Sequence, residues 1–455
     1  MFGLSLEFSQ KLIDILLSKG GNFADIYAEE EELFSFVVEN NKVKAIKTGI
    51  DKGLHLRVLK GNKTFSAYTN NTSELGLQSL AQNIAHSLND IQTQRSQVAV
   101  LSDVAMNSLQ LDYYKDTLEN FITQSKKIYQ QSPKIGQATL SYYNAHKSVW
   151  VINSNGEACQ DNRIYNRYTV NVVAKDGDIT QTSFEGPGIT GKENIFLLHP
   201  LQEASDNVVA RALLMLKAKP APTGKMPVIL LGEAGGTMIH EACGHALEAD
   251  FIYKDTSIFK DKIGTRVAAE CVTVVDDGSI PHQYGSYQFD DEGVAPRRNV
   301  LIEKGILKNY ITDRMNADLL GIPLSGNGRR ESYQSKPVPR MSNTFIEDTH
   351  MDSARVIDSV AQGILVKRMG GGQVNITNGE FIFEISEGYL IEKGKITTPI
   401  RGASMIGNGP QVLQDIAMVA NDKKFIAGVC GKYDHVPVGD AQPTLMIKEL
   451  TIGGM

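Results

Sequence analysis

The chain has 455 residues, with 46 Lys plus Arg against 52 Asp plus Glu, a formal net charge of −6, and it is 42% hydrophobic and 22% charged. At roughly 150 residues per domain this length suits two to three domains, and so ordinary a composition excludes disorder, collagen-like repeats and coiled coil. The slight acidity argues against direct nucleic-acid binding and against a membrane-surface protein, which usually carry a basic excess.

Phe8, Leu12, Ile15 and Leu16 recur at helical spacing, so the N-terminus reads as an amphipathic helix and not as a signal peptide. No apolar stretch approaches the roughly 18 to 20 residues of a membrane span, and a soluble protein is expected. Strand-like runs follow at 25–38, 43–47, 54–59 and 64–68, separated by turn signals at Asn40-Asn41, Asp51-Lys52-Gly53 and Gly61-Asn62. Glu29 to Glu32 reads as a solvated strand edge. A helix followed by closely spaced strands predicts an α+β fold with an antiparallel sheet.

Leu75, Leu77, Leu80, Ile84 and Leu88 predict a helix over 73–95, and another is expected over 114–131. The pattern recurs with strands at 138–143, 148–153, 166–175 and 179–184 and a helix over 205–216. Lys217 to Pro222 cannot continue that helix, since two of its last three residues are prolines. This places a boundary between an N-terminal α+β domain, residues 1–222, and a β-rich C-terminal domain, residues 223–455. The second part opens with a short buried strand at 226–231. Gly-punctuated strands at 299–312, 373–392 and 443–452 follow, interrupted by helices at 351–361 and 411–419.

Cys159, Cys243, Cys271 and Cys430 show no C-x-x-C pairing, which excludes a disulfide scaffold and a zinc ribbon and fits a reducing, cytoplasmic compartment. The chemistry-bearing segment is Gly235 to Glu248, G-G-T-M-I-H-E-A-C-G-H-A-L-E. His240-Glu241 with a second imidazole at His245 resembles the zincin arrangement of two ligands and an adjacent general base. The spacing is one residue longer than the common H-E-x-x-H. At about 100° per residue, i and i+5 lie about 140° apart on an ideal helix, so both imidazoles reach one ion only through a π-bulge or through unwinding at Gly244. Two unrelated histidines on a helix is the alternative.

The whole chain resembles the TldD/PmbA family, metallopeptidases also labelled modulators of DNA gyrase. The resemblance rests on Gly235 to Asp250, Asp290-Asp291-Glu292-Gly293, Gly326-Asn327-Gly328-Arg329-Arg330, Gly370 to Val374, Val429 to Lys432, Val436 to Gly439 and Gln442-Pro443-Thr444. The intact H-E-x-x-x-H is similar to the TldD branch, because the PmbA (TldE) branch lacks it. The resemblance implies a zinc peptidase in which His240, His245 and the distant Cys430 bind Zn2+ and Glu241 is the general base. It further implies short or unfolded peptides as substrates and a dimer, either a homodimer or a heterodimer with a PmbA (TldE)-like paralogue. The rival reading is a non-catalytic regulatory or scaffold subunit.

Cys243 competes with Cys430 for the third ligand, or is a buried core thiol. Asp290, Asp291 and Glu292 could orient a ligand imidazole or form a solvated turn. Gly326 to Gly328 and Gly370 to Gly372 fit close approach of a substrate backbone or plain turns better than a phosphate cradle. Arg329-Arg330 could clamp a substrate carboxylate, but pairing with neighbouring acids is favoured. His435 is close enough in chain to stabilise an oxyanion, with a surface role the favoured alternative, and His282 has the same status.

Overall fold

Asn40 and Asn41 both adopt positive φ, 51° and 66°. Two such residues in succession make the tight type I′ turn of a hairpin. It joins β1 (Phe23–Glu39) to β2 (Lys42–Lys60), in the computed structural model that describes residues 4–89 and 113–454. Glycines at positive φ, Gly61 and Gly177, turn β2 into β3 (Lys63–Thr69) and β5 (Ala158–Asp176) into β6 (Ile179–Glu185). With β4 (Ile135–Asn153) and β7 (Gly188–Thr190) these strands form one antiparallel sheet, ordered β3-β2-β1-β4-β5-β6 with β7 beside β5.

Strands of 19 residues are too long for one helix to cover, at about 3.3 Å per residue against about 1.5 Å in a helix. Two helix pairs share the task on one face. α1 (Leu6–Leu17) and α2 (Glu74–Ser87) bury Ile26, Leu56 and Val58. α3 (Lys115–Gln131) and α4 (Leu201–Leu216) bury Phe36, Tyr142 and Val170. Ser5 and Ser73 cap the first two, accepting from the N–H groups of Phe8 and Gly76 at 3.0 and 3.2 Å.

The other face of the sheet packs on C-terminal residues. Arg57, fully buried, pairs with Asp25 of its own sheet and with Glu292 at 2.8 Å. Arg163 meets Asp291 at 2.8 Å, and Lys147 donates to the Glu331 carbonyl at 2.5 Å.

Among the described residues the C-terminal part holds two large sheets. One is six-stranded, ordered Ile306–Leu307, Arg298–Glu303, Val274–Asp277, Asn343–Ile346, His435–Gln442 and Lys424–Gly431. The other is eight-stranded. Gln362–Val374, Gly224–Leu230, Leu445–Gly454, Ala403–Asn408 and Glu380–Glu392 pair in turn, and the last pairs back to the first, so these strands close into a ring. A single large apolar cluster runs from this ring to the helical turn that bears His240. No helix among the described residues is long and apolar enough to cross a membrane.

The α+β class and the antiparallel sheet agree with expectation; several details do not. Asp51-Lys52-Gly53 is no turn, because β2 runs through it with Gly53 pressed on the Tyr333 ring, where a Cβ would lie 2.2 Å from a ring carbon. β4 likewise joins the two strands expected at 138–143 and 148–153, since Ala145 and Lys147 pair on both sides. Glu29 is not a solvated edge residue. It lies buried in a central strand, where Tyr27 and Lys147 hold it. The helix expected over 73–95 ends at Ser87, and its residues 90–95 lie outside the described residues. The one expected over 411–419 spans Gly409–Asp415, after which Ile416–Val419 is a strand.

Candidate metal centre

Gly235-Gly236 lets the chain start its helical segment hard against the strand carrying Asp440. A Cβ on Gly236 would lie 2.3 Å from the Ala441 nitrogen. One α-turn, Thr237–Ile239, leads into a π-helical turn over His240–Gly244 and then a 3-10 turn over His245–Leu247. The His245 N–H donates to the His240 carbonyl five residues back. That wider turn brings positions i and i+5 to one side, and the imidazole centroids stand 4.9 Å apart with rings nearly perpendicular. Of the two local solutions compatible with the spacing, the π-bulge is the one realised. Gly244 is required by contact as well, since a Cβ there would lie 2.1 Å from Met341 Sδ.

Cys430 comes from Lys424–Gly431, the outermost strand of the six-stranded sheet. Its Sγ is 3.2 Å from His240 Nε2 and 3.4 Å from His245 Nε2. One donor atom from each of these three buried residues lies within 4.8 Å of the others. The opposite ring nitrogens are held by carboxylates: His240 Nδ1 by Asp440 at 2.7 Å and His245 Nδ1 by Glu248 at 3.1 Å. Those bonds turn both Nε2 atoms towards the sulfur.

Burial opposes charge on all three groups, and their neighbours overcome it. The His240 charge and hydrogen bonds from both imidazoles bring the Cys430 thiol down to about 5. Glu248 and Cys430 raise His245 to about 9, and Asp440 and Cys430 raise His240 well above its ordinary value. A thiolate between two carboxylate-backed imidazoles can exchange protons for a divalent cation. Two nitrogens and one sulfur is a donor set suited to zinc rather than to a hard, oxygen-seeking ion. The residues fit the metal.

Glu241 is half-buried beside the rings, and no described residue hydrogen-bonds its carboxylate. Burial raises its pKa, against the charges of His240 and His245. Cys243 stays out of the cluster. Its thiol donates to the Ile239 carbonyl at 3.4 Å and burial pushes it up to about 12, so it is a core group.

The remaining candidates are structural. Asp290, Asp291 and Glu292 form neither a solvated turn nor an imidazole partner; all three are buried. Asp290 accepts from the N–H groups of Glu292, Val294 and Gly328, while Asp291 and Glu292 pair with Arg163 and Arg57. Arg329 donates to the Met341 and Pro437 carbonyls, and Arg330 stacks on Tyr27 while donating to the Asp291 carbonyl. Both are buried and hold the fold. His435 is exposed near Glu331, and His282 pairs with Glu193 at the surface. Sequence reasoning missed Asp440 and Glu248. Glu248, three residues after His245, was within reach as an i,i+3 partner, whereas nothing local marks Asp440.

Models of the PmbA/TldA metallopeptidase match the chain as domain 1 over 24–88, the central domain over 111–216 and the C-terminal domain over 223–454. The chain belongs to the PmbA/TldD metallopeptidase family. Within it, the metalloprotease TldD homolog of Haemophilus influenzae is 36% identical over 468 residues, covering 99% of this chain and 97% of the relative. The zinc metalloprotease TldD homolog of Saccharolobus solfataricus is 27% identical over 443 residues, with 96% and 97% covered. Among solved structures, TldE from Thermococcus kodakarensis superposes with a TM-score of 0.75 at 18% identity, over 98% of this chain and 100% of the other, a likeness of fold.

Proposed function

We propose that this chain is a zinc-dependent peptidase for short or unfolded peptides, with His240, His245 and Cys430 holding the ion and Glu241 as general base. The observation that carries the reading is the convergence of two imidazole Nε2 atoms and one acidic thiol on a single buried point. Zinc bound there supplies Lewis acidity to the scissile carbonyl and makes water acidic near neutral pH. Glu241 takes the proton of the attacking water and returns it to the departing amine, and the burial that raises its pKa suits it to both transfers. Asp440 and Glu248 fix the tautomers and orientation of the two rings.

An extended peptide adding as a strand suits the edges near this centre. Among the described residues Met369 to Val374 pair on one side alone, with Glu380–Glu392, and the strand carrying Cys430 is the last of its sheet. Backbone pairing gives affinity with little sequence preference. The same reading divides the chain at about residue 222, takes it as a dimer with itself or with a PmbA (TldE)-like paralogue, and places it in the cytoplasm, which four free cysteines suit.

Metal analysis and peptide hydrolysis on wild type, Glu241→Ala and Cys430→Ala test the mechanism. Glu241→Ala is expected to keep zinc and lose turnover, and Cys430→Ala to lose much of its metal. Undiminished hydrolysis by zinc-free wild type would sink it.

A further inference from the structure

Arg340 lies between the short strand Val338–Pro339 and the strand Asn343–Ile346, and no solvent reaches it. Its guanidinium lies beside the Cys430 side chain and reaches behind two of the three candidate ligands. One terminal nitrogen donates to the Cys430 carbonyl at 2.6 Å. The other donates to Asp434 twice, to Oδ1 at 2.5 Å and to the carbonyl at 3.2 Å. Its Nε faces Glu248 Oε1 at 4.0 Å, and both of those buried atoms lack a hydrogen-bond partner among the described residues. Glu248 is the carboxylate behind His245, and its other oxygen meets Lys432 at 3.0 Å.

The backbone of Arg340 is pinned in turn. Its N–H donates to the Asn327 carbonyl and its carbonyl accepts from Asn327 Nδ2, both at 3.0 Å, while that amide also donates to Asp276 at 2.7 Å. Gly326 stands at φ +77°, and a Cβ on Gly328 would lie 2.4 Å from a Glu292 oxygen, so side chains cannot replace the two glycines without strain or displacement. Gly326-Asn327-Gly328, which the catalytic reading leaves unused, thereby fixes where Arg340 sits.

We infer that Arg340 is a positioning residue for the metal: it sets the strand that presents Cys430 and the carboxylate that orients His245 relative to each other. The inference rests on the zinc reading above. Only a planar fork with fixed donor directions reaches a carbonyl, a carboxylate and a third acidic group at once; an ammonium keeps the charge and loses the geometry.

Cobalt(II) titrated into the metal-free full chain tests this, read by thiolate-to-cobalt absorption and by affinity, with thermal melting as a control of folding. Arg340→Lys is expected to fold and to bind cobalt about 10- to 100-fold more weakly, with a shifted thiolate band. Because Arg340 acts partly through Glu248, Arg340→Lys with Glu248→Gln is expected to lose less than the product of the two single losses. Wild-type affinity and band in Arg340→Lys would overturn the inference, and so would fully multiplicative losses. Should Arg340→Lys not fold, Asp434→Ala, which removes the side-chain acceptor from the far side of the fork, decides by the same readout: weaker binding supports the inference and wild-type binding overturns it. Cys430→Ala separates the two claims. If it too binds cobalt like wild type, the metal reading falls and takes this one with it. If it loses cobalt while Arg340→Lys does not, only the role of Arg340 falls.

Discussion

The two imidazoles hold their places through groups that never meet the proposed ion. Asp440 and Glu248 each accept from an Nδ1, at 2.7 and 3.1 Å. Asp440→Asn keeps the shape but presents a weaker acceptor and can invert the ring's tautomer. Zinc affinity measured by competition with a chelator is expected to fall about 10- to 100-fold for Asp440→Asn and again for Glu248→Gln. Unchanged affinity in both variants would mean that the carboxylates only fill space. The residue types of the site were legible in the chain, because His, Glu and Cys carry their chemistry with them. The buried partners were not, since a carboxylate's role depends on what faces it, and Asp290 to Glu292 show the same residue type put to a different use.

At the scale of elements, the π-helical turn does what an α-helix cannot. It places residues five apart on one side, and it does so where Gly244 meets Met341. Gly244→Ala inserts a methyl 2.1 Å from a buried sulfur. Overpacking of this kind costs about 1–3 kcal/mol, so chemical denaturation should show a loss of that size, together with weaker metal binding because His245 follows directly. In the Gly244→Ala/Met341→Ala pair the two losses should be less than additive; full additivity would show that the side chains do not compete for the space. The spacing of the motif announced that something irregular was needed here, and the glycine announced where. In β2 local signals misled, because Asp51-Lys52-Gly53 has turn chemistry while the glycine serves close packing on Tyr333, more than 270 residues away in the chain.

Across the whole molecule, the helix-free face of the long sheet meets the C-terminal part through buried charges as well as through aromatic contacts such as Tyr27 with Tyr333 and Tyr165 with Tyr284. Arg57 bridges Asp25 and Glu292, and Asp290 and Asp313 lie in the same buried region. Burial, and after it the Glu292 charge, raises Asp290 and Asp313 well above the usual carboxylate range. Groups raised on folding hold their protons longer in the native state, so their contribution to stability is complete below an ordinary carboxylate pKa near 4 and is lost as pH rises towards and past neutrality. Melting temperature should therefore decline across that window. Asp313→Asn keeps the cap it gives to the Asn316 N–H at 2.9 Å and cannot titrate, so its decline should be shallower. An identical slope would assign the pH dependence elsewhere.

By itself the sequence determined the α+β class, the hairpin turns at Asn40-Asn41 and Gly61, the donor chemistry of His240, Glu241 and His245, and the need for a local irregularity between them. These are properties of neighbouring residues, set by φ preferences, periodicity and side-chain chemistry. Cys430 was reached through family resemblance, because nothing in its own surroundings distinguishes it from Cys243. Only the tertiary structure decided that its sulfur stands 3.2 Å from His240, that Asp440 and Glu248 back the rings, and that Arg340 spans behind them. Those relations join segments up to 200 residues apart in the chain, and such distances are fixed by sheet order and core packing rather than by local pattern.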